Sequence, residues 1–242
     1  MNIVRKTIAK LVYPDGLRCI LCGGELDGEY PDGYCRACSP KRVAHCCEIC
    51  GTTLSDPYRN YCDRCLYGYD KLYFDGARAP FPYADEHVKN IVWQIKYGGK
   101  NYLAGYMAVP MAEVVRAAGW QPDIITYVPL HKKRFKERGY NQAELLARSL
   151  GEIIAVPVTG TLEKLTYSRT TATRMGRQDR EEMLRGSFAL TGADIKNKTV
   201  LLTDDVLTSR ATANECAKML RLGKAKRVYI ITYATSRGDK VL

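Results

Sequence analysis

The sequence predicts an α/β fold, a parallel sheet covered by helices on both faces, preceded by tandem zinc ribbons. Three observations predict it. Four Cys-x-x-Cys pairs lie within residues 19–65, apolar β-branched runs alternate with helical patterns beyond residue 85, and two of those runs end in polar segments that lead into helices.

The pairs are Cys19/Cys22, Cys35/Cys38, Cys47/Cys50 and Cys62/Cys65, with twelve residues between the first two and eleven between the last two. A two-residue gap lets both thiolates of a knuckle reach one ion, so the spacing suits two tetrahedral Cys₄ zinc sites. The unit also repeats: Cys-Ile-Leu-Cys-Gly at 19–23 matches Cys-Glu-Ile-Cys-Gly at 47–51, and Tyr34-Cys35 matches Tyr61-Cys62. A disulfide framework is the alternative, and it needs an oxidising compartment. Residues 1–18 set Arg5, Lys6 and Lys10 among Ile3, Val4, Ile8, Leu11 and Val12, with no continuous apolar stretch of the kind a secretory signal carries. Zinc is therefore preferred, and four-thiolate sites leave no open position, which makes both ions structural. Cys46 with Cys50 is an alternative knuckle, but Cys47 preserves the repeat; Cys216 falls in a later apolar helix and reads as core.

At 242 residues the chain has room for one main core and something smaller. The division expected is a double zinc ribbon with a short N-terminal helix over 1–70 and an α/β domain over 80–242. The ribbon segment is too short and polar to bury much apolar surface, so metal must hold it together. Eight zinc-bound thiolates and two Zn²⁺ reduce the formal charge of +11 to +7, still basic. Such a balance favours nucleic acid, phosphorylated small molecules or a membrane face, against the alternative of simple solubility charge. No apolar run approaches the roughly 18–20 residues that cross a bilayer, and the chain reads as soluble and cytoplasmic.

Along the chain, residues 1–12 carry helical apolar spacing up to Pro14, and Tyr67–Pro82 reads as a linker leading into an edge strand. Val88, Ile91, Val92, Ile95 and Tyr97 predict a helix ended by Gly98-Gly99, and a second helix is expected over Tyr102–Ala118. Then come a strand at 124–128, a helix at 141–150, a short strand within 153–158, a strand at 199–203, a helix at 211–222 and a strand at 228–234. Near-continuous apolar strands alternating with helices indicate a parallel sheet, whose ligands bind at the carboxyl ends of its strands. The chemistry is therefore expected just after Val128 and just after Thr203.

After the strand at 199–203 come Asp204, Asp205, Val206, Leu207, Thr208, Ser209, Arg210, Ala211 and Thr212. A turn opening a helix offers backbone N–H groups and a favourable dipole to a phosphate, and Thr208, Ser209 and Thr212 add hydroxyl donors. The two carboxylates can accept hydrogen bonds from vicinal hydroxyls, as on a ribose, or approach Mg²⁺. N-capping is the alternative, although one acid would suffice for it. After the strand at 124–128 stand His131, Lys132, Lys133, Arg134, Lys136 and Arg138, with five Lys and Arg cations within seven residues. A diphosphate is a natural occupant of that strand end; a solvated basic loop is the alternative.

The segment from Val200 to Thr212 resembles the phosphoribosyl diphosphate (PRPP) motif of type I phosphoribosyltransferases, an apolar strand followed by Asp-Asp, two residues and Thr-Thr-Gly-x-Thr. The resemblance implies that Asp204 and Asp205 hold ribose hydroxyls and that Thr208 through Thr212, Ala211 included, form the 5′-phosphate loop. Two positions depart: Ser209 stands for the second Thr, and Arg210 for Gly. If the loop needs positive φ, losing that glycine strains it, while the guanidinium could instead add a phosphate contact. Val128-Pro129-Leu130-His131, Arg134 and Arg138-Gly139-Tyr140-Asn141-Gln142-Ala143-Glu144 look like the signature of the ComF family of competence proteins. Asp85–Lys100, with Ile95-Lys96-Tyr97-Gly98, resembles that family's helix-to-loop block, and a double zinc ribbon is typical of it. A third block, with Arg169, Arg174, Arg177, Arg180 and Arg185 before Gly186-Ser187-Phe188, matches less well, since Met183 stands near an expected Asn. Its arginines either close over substrate or face solvent beside Asp179, Glu181 and Glu182.

The resemblance implies a type I phosphoribosyltransferase-like domain that binds PRPP with Mg²⁺, with His131, Arg134 and Arg138 on the diphosphate side, in a protein supporting the handling of single-stranded DNA during natural transformation. Two alternatives stand beside it. One is an active phosphoribosyltransferase that displaces diphosphate from C1 with a nitrogen nucleophile. The other is a zinc-ribbon adaptor for a DNA-uptake helicase or another protein. Tyr58, Tyr61, Tyr67, Tyr69, Tyr73 and Phe74, near Arg59, Arg64 and Lys71, offer stacking surfaces for bases, although packing accounts for most such aromatics in small metal domains.

Overall fold

Two nine-residue strands form the centre of the sheet, 199–207 rich in Val, Leu and Thr around Asp204-Asp205 and 227–235 rich in Ile, Val and Tyr, and shorter strands complete a parallel sheet around them. The computed structural model describes residues 18–26, 32–68, 71–167, 183–208 and 210–236. The helix expected over 1–12, Tyr69, Ser209, and Arg169, Arg174, Arg177 and Arg180 lie outside the described residues.

In chain order the elements are α1 (Asp63–Leu66), β1 (Gly76–Arg78), β2 (Phe81–Pro82), α2 (Glu86–Tyr97), α3 (Leu103–Ala117), β3 (Ile124–Tyr127), α4 (Lys132–Arg138), α5 (Gln142–Ile154), β4 (Leu162–Lys164), β5 (Phe188–Leu190), β6 (Thr199–Leu207), α6 (Ala211–Leu222) and β7 (Arg227–Thr235). The sheet order is β1-β7-β6-β3, with β2 also paired to β7, and every pairing is parallel. The strands β4 and β5 form a separate antiparallel pair, Leu162 opposite Leu190 and Lys164 opposite Phe188.

Each face of the sheet carries its own core. Ile91, Ile95, Met107, Met111, Leu146 and Leu150 from α2, α3 and α5 pack on Leu201, Ile231 and Tyr233. The other face packs Val200, Leu202 and Ile230 against Cys216, Ala217 and Leu220 of α6. Both cores reach into the amino-terminal segment: Tyr34 joins the first, and Cys47, Cys50, Leu54 and Cys62 join the second. Cys216 is fully buried there, the core residue its helical setting predicts.

Three expectations are corrected. The strand anticipated within 153–158 is instead the end of α5, which runs through Ile154 and stops at Ala155 in a left-handed conformation (φ 56°). Only Val158 bridges to the sheet, beside Ile125. The strand expected to end at Thr203 continues to Leu207, because β7 is equally long and pairs Asp204 with Thr232 and Val206 with Ala234. The basic segment is a short helix, capped by the His131 side chain at one end and by Gly139 (φ 83°) at the other.

Candidate functional site

The cysteines converge into two groups, Cys19/Cys22/Cys35/Cys38 and Cys47/Cys50/Cys62/Cys65, with the sulfurs of each within 4.8 Å of one another. Tetrahedral thiolates at about 2.3 Å from one Zn²⁺ stand about 3.8 Å apart. Cys22 and Cys35 sulfurs are 3.8 Å apart and those of Cys50 and Cys62 are 3.5 Å apart, so both groups fit the ion. The sequence repeat is a structural repeat: Gly23 (φ 72°) and Gly51 (φ 67°) turn equivalent knuckles, and their N–H groups donate to the Cys19 and Cys47 carbonyls at 2.9 Å. Cys47, not Cys46, completes the second group; Cys46 pairs its backbone with Thr53 across the knuckle.

At the carboxyl end of β6, Asp205 is 4% exposed and forms an ion pair with Lys96 of α2. Burial pushes the Asp205 carboxyl up, but the Lys96 charge and hydrogen bond outweigh it and hold Asp205 below the usual carboxylate range. Asp204 differs. Burial and then the adjacent Asp205 charge drive it well above that range, and its Oδ1 accepts the Asp205 N–H at 2.9 Å. The two carboxyls are therefore shifted apart, Asp205 as the stronger acid and Asp204 as the weaker. Lys164 of β4, over the Phe188 ring at 5.4 Å, feels Asp204 and Arg134, and burial pushes its ammonium down.

Lys96 is also the hinge between the acids and a cleft of about 270 Å³ lined by Lys96, Tyr97, Gly99, Arg134, Glu137, Arg138 and Tyr140. Three cations and one carboxylate face this space. Arg138 lies over the Tyr97 ring at 5.2 Å and donates to Gln142 Oε1, while Tyr140 donates to the Ile95 carbonyl at 2.7 Å. Asn141 caps α5, accepting from the Ala143 N–H at 3.0 Å, and its amide donates to the Val128 carbonyl at 3.0 Å. That pair of bonds fixes α5 to the end of β3 and so places the basic helix beside α2. His131 does not line the cleft: its Nδ1 accepts the Lys133 N–H at 3.2 Å, and its ring lies 5.2 Å from that of Tyr167.

The helix α6 begins directly after Arg210, which stands in the left-handed region at φ 68° and caps it without a side-chain hydrogen bond. Arg210 is 3% exposed, and its guanidinium donates to Cys65 Sγ at 3.9 Å rather than opening to solvent. Thr208 is exposed and Thr212 half-buried on the first turn, with Ala211 buried between them. Arg185 is exposed, and the Gly186-Ser187-Phe188 ending leads into β5, with the Gly186 N–H donating to Glu215 at 3.0 Å.

No family model matches the chain. It is 28% identical to Competence protein F of Haemophilus influenzae over 215 residues, covering 84% of this chain and 90% of that protein. It is 27% identical to the DNA utilization protein YhgH of Escherichia coli, covering 82% of this chain and 88% of that one. Competence protein ComFC of Streptococcus pneumoniae is 27% identical over 62% of this chain and 64% of its own length. The chain is a homologue of these competence and DNA-utilization proteins. Among solved structures, a purine phosphoribosyltransferase from Pyrococcus horikoshii aligns with a TM-score of 0.36 at 19% identity, over 53% of this chain and 70% of that one.

For this competence-protein homologue, sequence reasoning missed the partner of Asp205. Lys96 stood in a recognised block, Ile95-Lys96-Tyr97-Gly98, but a lysine at the exposed end of an amphipathic helix carries no mark of the acid it meets 109 positions later. Lys164 was missed for the same reason. Of the aromatics considered for stacking, Phe74 is buried and Tyr73 half-buried, whereas Tyr58, Tyr61 and Tyr67 are exposed. Two further exposed rings, Trp93 (60%) and Tyr97 (61%), stand 6.2 Å apart on α2. No helix among the described residues is long and apolar enough to cross a membrane.

Proposed function

We propose that the chain is a ComF-type protein that binds PRPP with Mg²⁺ at the end of β6 and supports the handling of single-stranded DNA in the cytoplasm during natural transformation. The observation that carries this reading is the junction of an acidic pair with a cationic cleft through the Lys96–Asp205 ion pair. PRPP needs both features. Its ribose presents vicinal hydroxyls to carboxylates, and its diphosphate needs several cations close by. In this reading Asp204 and Asp205 accept from the ribose, Thr208, Thr212 and the first turn of α6 take the 5′-phosphate, and Lys96, Arg134 and Arg138 face the diphosphate. Mg²⁺ would neutralise diphosphate charge, and the carboxylates at this end of the sheet are the residues fitted to hold it. His131 supports the basic helix from its amino-terminal cap.

The names of the relatives support the DNA side of the reading, as does the surface. Trp93 and Tyr97 are exposed beside the cleft, and Lys89 and Lys100 line the shallow depression next to Trp93. Exposed rings interleaved with cations suit stacking of unpaired bases. Two measurements test the two halves. Thermal unfolding of the zinc-loaded protein should shift upward with Mg²⁺ and PRPP, by an amount that ligand at about 100 times its Kd sets near 2.7 kcal/mol. The same shift should be smaller with ribose 5-phosphate and absent for an Asp204→Asn/Asp205→Asn variant. Fluorescence anisotropy with a labelled oligodeoxynucleotide should show binding that weakens as salt rises; no binding at low salt would remove the DNA half and leave the PRPP half standing.

A further inference from the structure

The strained Arg210 and the second cysteine cluster meet, and the helix that follows is tied at two more points to the chain just after that ribbon. Arg210 adopts φ 68° where the phosphoribosyl motif has glycine. Glycine would meet that backbone requirement without strain, whereas an arginine accepts the strain and delivers a cation to Cys65 Sγ at 3.9 Å. One turn later the Asn214 N–H donates to the Arg210 carbonyl at 2.7 Å. The Asn214 side chain grips the chain leaving the second ribbon, accepting the Tyr73 N–H at 2.8 Å and donating to the Lys71 carbonyl at 3.0 Å. Near the other end of α6, Arg221 donates to the Tyr73 carbonyl at 3.1 Å and pairs with Asp75 at 2.5 Å. The element that opens at the anion loop is thus held at its start by the second cluster and along its length by Lys71, Tyr73 and Asp75 of the chain that follows it.

We infer that Arg210 is a positioning residue that couples metal occupancy of the Cys47/Cys50/Cys62/Cys65 cluster to anion binding at the start of α6. A metal-bound Cys65 thiolate is a charged acceptor for the buried guanidinium, and this charge-assisted contact holds the Arg210 backbone in its left-handed geometry. That geometry fixes where the first turn of α6 points. Without the metal, Cys65 is no longer fixed beside the guanidinium, and the loop loses its anchor. Because linkage is reciprocal, an anion bound at the loop must retain the metal to the same degree that the metal retains the anion. The coupling rests on the proposal that the end of β6 binds a phosphorylated ribose.

The test uses the full zinc-loaded chain and its Arg210→Gly variant, with thiol alkylation under a mild chelator read cysteine by cysteine through peptide mass mapping. Without ligand, Cys62 and Cys65 should alkylate about 10- to 100-fold faster in Arg210→Gly, with Cys35 and Cys38 unchanged as the internal control. With Mg²⁺ and PRPP, alkylation of Cys62 and Cys65 should slow in the wild type and not in the variant. Metal content of two ions per chain and a retained unfolding transition establish that the variant folds. Equal alkylation rates in the two proteins without ligand would overturn the strap, and equal protection by PRPP in both would overturn the coupling. If PRPP protects neither while the ligand-free difference holds, the coupling falls; an upward shift of the wild-type unfolding midpoint with Mg²⁺ and PRPP then leaves the site standing without it, and no shift removes the site as well.

Discussion

Asp204 and Asp205 are adjacent, chemically identical and shifted in opposite directions. Against the upward push of burial, the Lys96 charge and hydrogen bond hold Asp205 below the usual carboxylate range, while burial and the Asp205 charge push Asp204 well above it. The consequences for stability have opposite signs. The depressed Asp205 contributes stability that is present above the unfolded carboxylate pKa and is lost as pH falls through its folded value. The raised Asp204 favours the folded state at low pH, and that contribution disappears as pH rises from the unfolded value toward its folded one. Asp204→Asn should therefore stabilise the ligand-free protein near neutral pH by about 1–2 kcal/mol, while removing PRPP binding. Urea unfolding at pH 5 and pH 8 checks this: the gain over wild type should be larger at pH 8. Lys96→Met works the other way, leaving Asp205 buried without its cation, and should cost about 1–3 kcal/mol at neutral pH. The acids were legible in the sequence because they break an apolar strand; Lys96 was not, because pairing across the fold leaves no local pattern.

Regular elements were legible where periodicity and end signals agreed. The helix at 211–222 follows its pattern residue for residue, and α2 ends at the Gly98 that predicts its end. Elsewhere two local signals competed. Ile153-Ile154-Ala155-Val156 has strand-like β-branching, yet Ile153 and Ile154 lie on the face of α5 that packs into the core, and packing overrides propensity. The basic segment read as a loop because of its charge, although Lys, Arg and Glu are good helix formers and His131 and Gly139 supply both ends. The register of β6 past Thr203 depended on the length of β7, which no inspection of residues 204–207 alone reveals. Asn141 is the joint that matters most at this scale. Asn141→Ala removes the α5 cap and the bond to Val128 together, and should cost about 2 kcal/mol by urea unfolding while weakening PRPP binding through displacement of the basic helix.

At the scale of the molecule, the ribbons are part of the core of the sheet. The Tyr34 hydroxyl hydrogen-bonds that of Tyr233 on β7, and Tyr34 and Tyr233 both pack against Phe81. Arg78 of β1 donates to the Cys47 and Glu48 carbonyls at 3.2 and 2.6 Å. The sequence shows the two metal sites and the sheet separately; this interlock comes from tyrosine, arginine and cysteine contacts over long separations and had no sequence signature. Removing zinc should therefore lower the unfolding midpoint of the entire chain in one transition by calorimetry. A second transition unmoved by chelation would show that the sheet stands independently of the ribbons.

In the proposed reading, the acidic pair and the cationic cleft form one ligand site. Calorimetric titration of PRPP with Mg²⁺ into the zinc-loaded protein, alongside the Asp204→Asn/Asp205→Asn variant, tests it most directly. Saturable binding of one PRPP per chain is expected, with a dissociation constant on the order of micromolar, and its loss in the variant. Absence of binding by the wild type, or equal binding by the variant, would contradict it.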